Sequence, residues 1–212
     1  MENLSPLVIG YLASFFLVAL LAFTAFIKVS VVLMILRNAL GLQQVPSNLI
    51  VMTMSMFLAA FIAVPSVTAA FNAIDALGPL SQSIDGLFAV WTAGLAPFKT
   101  FIASHTDPNH LAFFVSVAGD VWSGSGIEPT EDMTVIQIPA FVLSELTAAF
   151  EMGFLLYLPF VAIDLAVTAI LIALGMQLVQ PTIISVPFKV LLFVAVDGWA
   201  RLVEGLMLSY TV

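Results

Sequence analysis

A long apolar segment in the first half of the chain decides the class of fold. Residues 49–71 read LIVMTMSMFLAAFIAVPSVTAAF and carry no charged side chain. At a rise of 1.5 Å per residue, a helix of about 20 apolar residues crosses the hydrocarbon core of a bilayer. Pro65 interrupts the segment, but a proline inside a membrane helix kinks the helix more often than it ends it. The segment therefore predicts a membrane-spanning helix.

Further apolar segments lie on both sides of it. The first extends from Leu4 to Ile27, and we expect it to be retained, because neither a basic region before it nor a cleavage site after it marks a secretory leader. Two more occupy about residues 153–179 and 186–208, with Pro181 and Pro187 bracketing the turn between them. The sequence thus predicts an all-α membrane protein with about four hydrophobic segments, arranged as long helical hairpins.

The overall composition excludes several classes of protein. The chain is 62% hydrophobic and 8% charged, whereas soluble domains are about 45–50% apolar and about 25% charged. It contains no cysteine, so disulfides and thiolate metal sites are excluded. A formal net charge of −8 without a basic run also argues against nucleic acid as a partner. Membrane lipid and other apolar proteins are the expected surroundings.

The middle of the chain has a different composition. Residues 72–137 contain Gly, Ser, Pro and most of the net negative charge, together with short apolar runs that predict short packed helices. Residues 123–132 are the best candidate for a flexible loop. The chain therefore divides into an N-terminal hydrophobic helical hairpin (1–71), an acidic region (72–137) and a C-terminal hydrophobic helical hairpin (138–212).

Basic residues predict the orientation in the membrane, because Lys and Arg near the ends of membrane segments stay on the cytoplasmic side. Lys28 and Arg37 flank the first hairpin loop, and Lys189 follows the third segment. Both hairpin loops are therefore expected in the cytoplasm. The acidic region is expected on the opposite, extracytoplasmic side.

Ionisable residues inside the apolar segments are functional candidates, since each costs at least about 2.5–3.5 kcal/mol at the bilayer centre unless it is paired. Asp197 and Arg201 are spaced i, i+4, so one helix would bring them together. We interpret the set as charges between packed helices or subunits. The alternative is an ion relay through Asp164, Lys189 and Asp197 in an ion-coupled transporter or channel, although no inverted repeat is visible. The candidates are Lys28, Glu145, Glu151, Asp164, Lys189, Asp197 and Arg201.

No residue pattern indicates an enzyme or a cofactor. His105 and His110 flank Asp107, but two histidines without a third well-spaced ligand are a weak metal signal, and we expect a solvated loop there. The Gly-rich stretch at 123–126 contains serines but lies in the acidic region, and neither histidine lies in a membrane segment, as a serine hydrolase of the membrane would require. The sequence therefore predicts neither a catalytic site nor a metal site.

Several motifs resemble one known family. FIKV at 26–29 and LRNALGLQQVPSN at 36–48 are similar to the signature of the SctR/FliP family, which forms the export gate of type III secretion systems. The second half agrees in order, with SEL at 144–146, GFLLYLPF at 153–160, IDL at 163–165, ALGM at 173–176, PFK at 187–189 and VDGW at 196–199. These motifs span nearly the whole chain outside the acidic region.

The resemblance implies a non-enzymatic subunit of the bacterial inner membrane, present in five copies. Its expected partners are SctS/FliQ-like and SctT/FliR-like subunits, an SctU/FlhB-like switch protein and the unfolded secreted substrates that thread through the gate. The family also carries a methionine-rich gasket after the Ala-Leu-Gly turn, which corresponds here to Met176, Gln177 and Leu178. The resemblance favours an injectisome over a flagellar system. It further implies bent hairpins lifted largely out of the bilayer plane.

Overall fold

Seven helices make up the described parts of the chain. The structure is a computed structural model that describes residues 25–42, 45–78, 84–176 and 178–211. Within these ranges the helices are α1 (Phe26–Ala39), α2 (Asn48–Asp75), α3 (Ile84–Ser104), α4 (Pro108–Val121), α5 (Thr134–Ala173), α6 (Pro181–Ala195) and α7 (Gly198–Leu208). The segment predicted from Leu4 to Ile27 lies outside the described residues except for its last three.

Two of these helices are long and apolar enough to cross a membrane. An 18-residue stretch of α2 has a mean hydropathy of 2.1, and α2 continues through Pro65; an 18-residue stretch of the 40-residue helix α5 has a mean hydropathy of 2.3. At 1.5 Å per residue α5 is about 60 Å long, roughly twice the thickness of a bilayer core. These helices confirm the prediction of an all-α membrane protein.

The last apolar segment differs from the expected single helix. Helices α6 and α7 are separated by a short break and bent by 64°, so together they form at most one broken span. The chain also turns before Pro181 rather than between Pro181 and Pro187. Pro181 occupies the first turn of α6, where its fixed φ suits a helix start. Pro187 lies inside the same helix, as membrane helices allow.

The described residues pack into two compact units. The described part of the first comprises residues 25–27, 59–78 and 84–145. Ala70 and Phe98 form its core, with Val67 and Leu95 packed against them, so α2 lies against α3.

The acidic region contains the helices α3 and α4, so helices occur there as expected, although α3 is 21 residues long. Residues 123–132 contain no helix, as expected for a loop. Within this loop the Thr130 hydroxyl donates to Asp132, and this hydrogen bond lowers the pKa of the Asp132 carboxyl. The proposed division of the chain at residues 71 and 137 stays a prediction.

The second unit comprises residues 28–58 and the described part of 146–211. Glycine allows two helices to approach closely in it, because a Cβ added at Gly153 on α5 would lie 2.4 Å from Ile35 Cδ1 on α1. Phe193 on α6 packs 6.4 Å from the Phe160 ring, measured between centroids. Helices α1, α5 and α6 therefore share one apolar core.

Only one stripe of α5 is covered within the second unit. Ala149, Gly153, Phe160, Val167 and Leu171 are buried, at spacings of four or seven residues that follow one helical face. Large apolar side chains elsewhere on this part of the helix are exposed, including Phe150, Phe154, Leu158, Leu165 and Ile172. Because contiguous apolar surface of this kind marks membrane or protein contacts, the remaining faces require lipid or further protein.

Candidate functional site

A buried lysine ties three helices of the second unit together. Lys189 on α6 is only 4% exposed. Its Nζ donates to the Ala39 carbonyl at the end of α1 (3.0 Å) and to Asp164 Oδ2 on α5 (2.6 Å). Ser185 Oγ donates to the other Asp164 oxygen at 2.7 Å. We call Ala39, Asp164, Ser185 and Lys189 the lysine node.

The electrostatics of the lysine node favour a structural role. A cation beside the last carbonyls of a helix complements the negative end of the helix dipole. The Asp164 side chain is 37% exposed, whereas the Lys189 side chain is 5% exposed. Lys189 therefore depends on its two acceptors for solvation, and removing either one would leave a buried cation short of partners.

A second buried lysine contacts the end of the described chain. Lys28 on α1 is 4% exposed. Its Nζ donates to Ser209 Oγ at 3.3 Å and lies 3.8 Å from the centre of the Tyr210 ring. A cation over an aromatic face is attracted by about 0.5–2 kcal/mol, more when it is desolvated. The residues after α7 thus help to hold the start of α1.

The predicted gasket lies in the α5–α6 connection, residues 174–180. Leu174 is 67% exposed, Met176 44% and Leu178 101%. Gly175 adopts a φ of +72° where α5 ends, and a Cβ there would meet nothing within 4 Å. Gln177 lies outside the described residues. The connection therefore presents bare apolar side chains, and its role as a gasket stays a prediction.

The remaining predicted charges lie in different surroundings. Glu145 on α5 is buried, at 1% exposure. Glu151, Asp197 and Arg201 are exposed. Within the part of the chain that the structure describes, Asp197 and Arg201 form no ion pair. The expected i, i+4 pairing is wrong because Asp197 lies at the break before α7 with a φ of 54°, not inside a continuous helix.

The two histidines are less solvated than the expected loop: His105 lies in the turn after α3, and His110 lies in the first turn of α4. Both are half-buried near the ends of α3 and α4. Ser144 Oγ donates to the Ala140 carbonyl, accepts from the Asp107 amide, and lies 2.9 Å from His110 Nδ1. While the serine proton points to the Ala140 carbonyl, His110 Nδ1 is the donor to Ser144 Oγ. No group of three metal-ligating side chains occurs among residues 25–42, 45–78, 84–176 and 178–211.

Sequence reasoning missed several partners of these charges. Ser185 precedes Lys189 by four residues on the same helix, so helical spacing alone could have indicated that they share a face. The Ala39 carbonyl gave no signal, because a backbone acceptor has no side chain to recognise. Ser209 and Tyr210 were also missed, since α1 and the residues after α7 are far apart in sequence.

A family profile matches most of the chain, at residues 9–206, under the description FliP family. The chain belongs to the FliP family. The lysine node, the Lys28 contacts and the apolar connection are therefore features of a FliP family member, and all of them fall within the matched residues except Ser209 and Tyr210.

Similar proteins carry names from two kinds of export system. The probable translocation protein y4yL of Sinorhizobium fredii is 42% identical over 219 aligned residues, covering 100% of this chain and 98% of that protein. The Yop proteins translocation protein R of Yersinia pestis is 42% identical over 188 residues, covering 88% of this chain and 87% of that protein. The flagellar biosynthetic protein FliP of Cereibacter sphaeroides is 42% identical over 191 residues, covering 90% of this chain and 62% of that protein.

Membership in the FliP family confirms part of the sequence-based interpretation. FliP family proteins are components of a protein-export apparatus and not enzymes. This chain is accordingly an export component located in a membrane, with two helices long enough to span it in the described residues and a third possible span across the α6–α7 bend.

Proposed function

We propose that this FliP family member is a core subunit of a type III secretion export gate in the bacterial inner membrane. Five copies would assemble with SctS/FliQ-like and SctT/FliR-like subunits around a pore for unfolded secreted proteins, next to an SctU/FlhB-like switch protein. The relatives named for translocation and secretion support an injectisome, and with it a role in virulence. The match to a flagellar relative supports the same general mechanism.

The exposed α5–α6 connection is the observation that carries this proposal. Leu174 and Leu178 are 67% and 101% exposed, and Met176 stands between them. Exposed apolar residues at a helix connection are poorly suited to water or to lipid headgroups. In a ring of copies they would converge and close the pore by dewetting, which blocks ions without any fixed charge.

The lysine node would support this connection from both sides. Asp164 lies on α5 before the connection, and Lys189 lies on α6 after it. Sites held by rigid elements keep their geometry better than sites on free loops. The ion pair therefore holds α5 against α6 at positions nine residues before Ala173 and eight residues after Pro181. Glu145 and Glu151 remain candidates for contacts with other subunits or helices.

Assembly is the first test of the proposal. The protein is purified in detergent alone and after coexpression with the neighbouring small membrane subunits, and each sample is analysed by native mass spectrometry. We expect a homo-pentamer that gains those subunits in a fixed ratio. A stable monomer or dimer that ignores them would contradict the proposed gate.

Ion leakage tests the gasket itself. Met176→Ser combined with Leu178→Ser should let ions through the closed complex, because polar side chains allow water into the constriction. Leu165→Ser is the matched control, since Leu165 is 66% exposed on α5 but lies outside the connection. Conductance is recorded on assembled complexes in planar bilayers. Equal conductance in the double variant and in the control would show that the connection does not line the pore.

An ion-coupled transporter or channel is the alternative function. The close contact between Asp164 and Lys189 favours it, because two of the three residues of the predicted relay touch. This alternative predicts ion flux through the purified chain alone in liposomes, abolished by Asp164→Asn. The export gate predicts no flux until the partner subunits are present and the connection is altered.

A further inference from the structure

The break between α6 and α7 depends on one residue with an unusual backbone. Asp197 adopts φ 54° and ψ 47°, the left-handed conformation, and it is the non-glycine residue with positive φ among the described residues. Side chains with a Cβ avoid this region, and Asn and Asp enter it more readily than other non-glycine residues. The 64° bend between the two helices occurs at this point.

The Asp197 carboxylate has no visible task of its own. It is exposed and does not cap α7, although aspartate is a favoured capping residue. The backbone does the work instead, since the Asp197 carbonyl accepts the first helical hydrogen bond of α7 from the Arg201 amide at 3.2 Å. Conformation, not charge, is therefore what this position contributes within the described chain.

The residues next to Asp197 fill the inside of the bend. A Cβ added at Gly198 would lie 2.3 Å from the Phe193 ring, so glycine at this position leaves room for the ring beside the break between α6 and α7. The Trp199 ring then packs edge-on against Phe193, with 5.2 Å between centroids and an interplanar angle of 86°. Phe193 and Trp199 therefore meet across the 64° bend at residue 197.

The bend also decides which face of α7 is buried. Leu202 and Leu206 are buried, whereas Arg201 and Glu204 are exposed. Ser209 and Tyr210 follow directly and reach the buried Lys28 on α1. A change of direction at the break would therefore carry through α7 to the contacts of Lys28.

We propose that Asp197 is a positioning residue whose left-handed backbone, and not its negative charge, sets the direction of α7 and seats Ser209 and Tyr210 on Lys28. The inference does not depend on the export gate, because it concerns the folding of the second unit. The alternative hypothesis is that Asp197 supplies a charge between subunits. The two hypotheses predict opposite results for single substitutions.

Four substitutions at Asp197 provide the test. Asp197→Gly and Asp197→Asn lose the charge but tolerate the left-handed conformation, so we expect folded yield within about twofold of wild type. Asp197→Glu keeps the charge but adopts this conformation poorly, and Asp197→Ala lacks both properties. We expect both of these to lower the folded yield by about fivefold or more, as measured by size-exclusion chromatography in detergent.

A spectroscopic readout reports on the bend itself. The chain contains three tryptophans, so Trp91→Phe with Trp122→Phe leaves Trp199 as the single fluorophore. In this background the emission maximum and acrylamide quenching of Trp199 in the Gly and Asn variants should match those of the same background with Asp197 intact. They should indicate a more solvated indole in the folded fraction of the Ala and Glu variants.

Each remaining outcome would overturn the proposal. Normal yield and fluorescence for Asp197→Glu, combined with failure of Gly and Asn, would assign the role to charge. Wild-type behaviour of all four variants would show that the bend does not depend on this residue. Failure of all four would show that the aspartate side chain itself is required. Export measurements do not enter any of these decisions.

Discussion

Two helix connections of the second unit, the one between α1 and α2 and the one between α5 and α6, are built on opposite principles. The α1–α2 connection, residues 40–47, is fastened to its surroundings: Leu40 is buried, and Arg37 donates to the Pro46 carbonyl (3.3 Å) and to Asn48 Oδ1 (2.5 Å). The described part of the α5–α6 connection has no comparable tie from a cation. It leaves Leu174 and Leu178 exposed instead.

The difference indicates which residues of an apolar chain hold its own fold together and which are available for contacts with other subunits. Hydrophobicity does not distinguish the two connections, because both contain leucines. The two connections differ in how far their side chains are paired or covered. The first finds its partners within its own chain, whereas the second leaves apolar side chains exposed. Substitutions in the first should therefore affect folding, and substitutions in the second should affect assembly or sealing.

The largest effect is expected at the lysine node, which holds the end of α1 beside the first connection. Lys189→Met leaves the Ala39 carbonyl and Asp164 without their cation. Breaking a buried pair costs about 3–5 kcal/mol, and we expect the lower part of this range because Asp164 is partly exposed. Thermal unfolding in detergent measures the loss.

Two variants control this prediction. Lys99→Met removes an exposed lysine and should leave the unfolding temperature nearly unchanged. Lys189→Met combined with Asp164→Leu should recover part of the stability, since the carboxylate no longer lacks a partner. A double variant as unstable as the sum of the two single variants would show that the ion pair is not coupled.

Two glycines compare the connections directly. Gly41 has a φ of +75° and Gly175 a φ of +72°, so alanine is strained by about 1–2 kcal/mol at either position. Only at Gly41 would the added Cβ also meet another side chain, Val186 Cγ2 at 2.7 Å. Gly41→Ala should therefore lower the unfolding temperature more than Gly175→Ala does, and Val186→Ala should reduce the difference. Equal losses would mean that the first connection is not packed against α6.

A smaller effect is expected where each connection enters the next helix. Asn48→Ala removes the acceptor of the Arg37 bond and should cost about 0.5–1.5 kcal/mol. Asn48→Asp should be neutral or stabilising, because a carboxylate accepts more strongly from a guanidinium. Gln180 precedes α6 without a side-chain cap bond, so Gln180→Ala should change little. Chemical unfolding of the three variants checks the order, and a loss at Gln180 as large as at Asn48 would contradict it.

The smallest change in stability is expected at Leu178. Its side chain is fully exposed, so Leu178→Ser should alter the free energy of unfolding of the isolated chain by no more than about 0.5 kcal/mol. Any strong phenotype of this variant must then arise in the assembly. A marked loss of stability before assembly would place Leu178 in the core of its own chain.

The helices that span or nearly span the membrane were predictable from sequence because their signal is local. The length of the segment without charged residues predicted α2. The motifs from Gly153 to Met176 lie on α5 and in the connection after it. The loop at 123–132 was also predictable, since Gly, Ser and Pro leave few helical contacts. Local composition therefore gave the fold class and most of the helix positions.

Contacts across a turn were not predictable in the same way. Asp164 and Lys189 meet because the α5–α6 connection ends before Pro181, whereas the sequence suggested a turn between Pro181 and Pro187. Asp197 and Arg201 fail to pair because the helix breaks at Asp197, and a left-handed residue leaves no periodic signal. Which charges meet was decided by the backbone between them.

The contact of Lys28 with Ser209 and Tyr210 can form only after most of the chain has been synthesised. Lys28 and Ser209 are separated by 181 residues, and ribosomes add about 5–20 residues per second. Roughly 10–35 s therefore pass between the synthesis of the lysine and that of the hydroxyl and aromatic ring that lie against it. During this interval α1 has been synthesised, but Lys28 lacks these two partners. The second unit is consequently complete only after residues 209 and 210 have been synthesised.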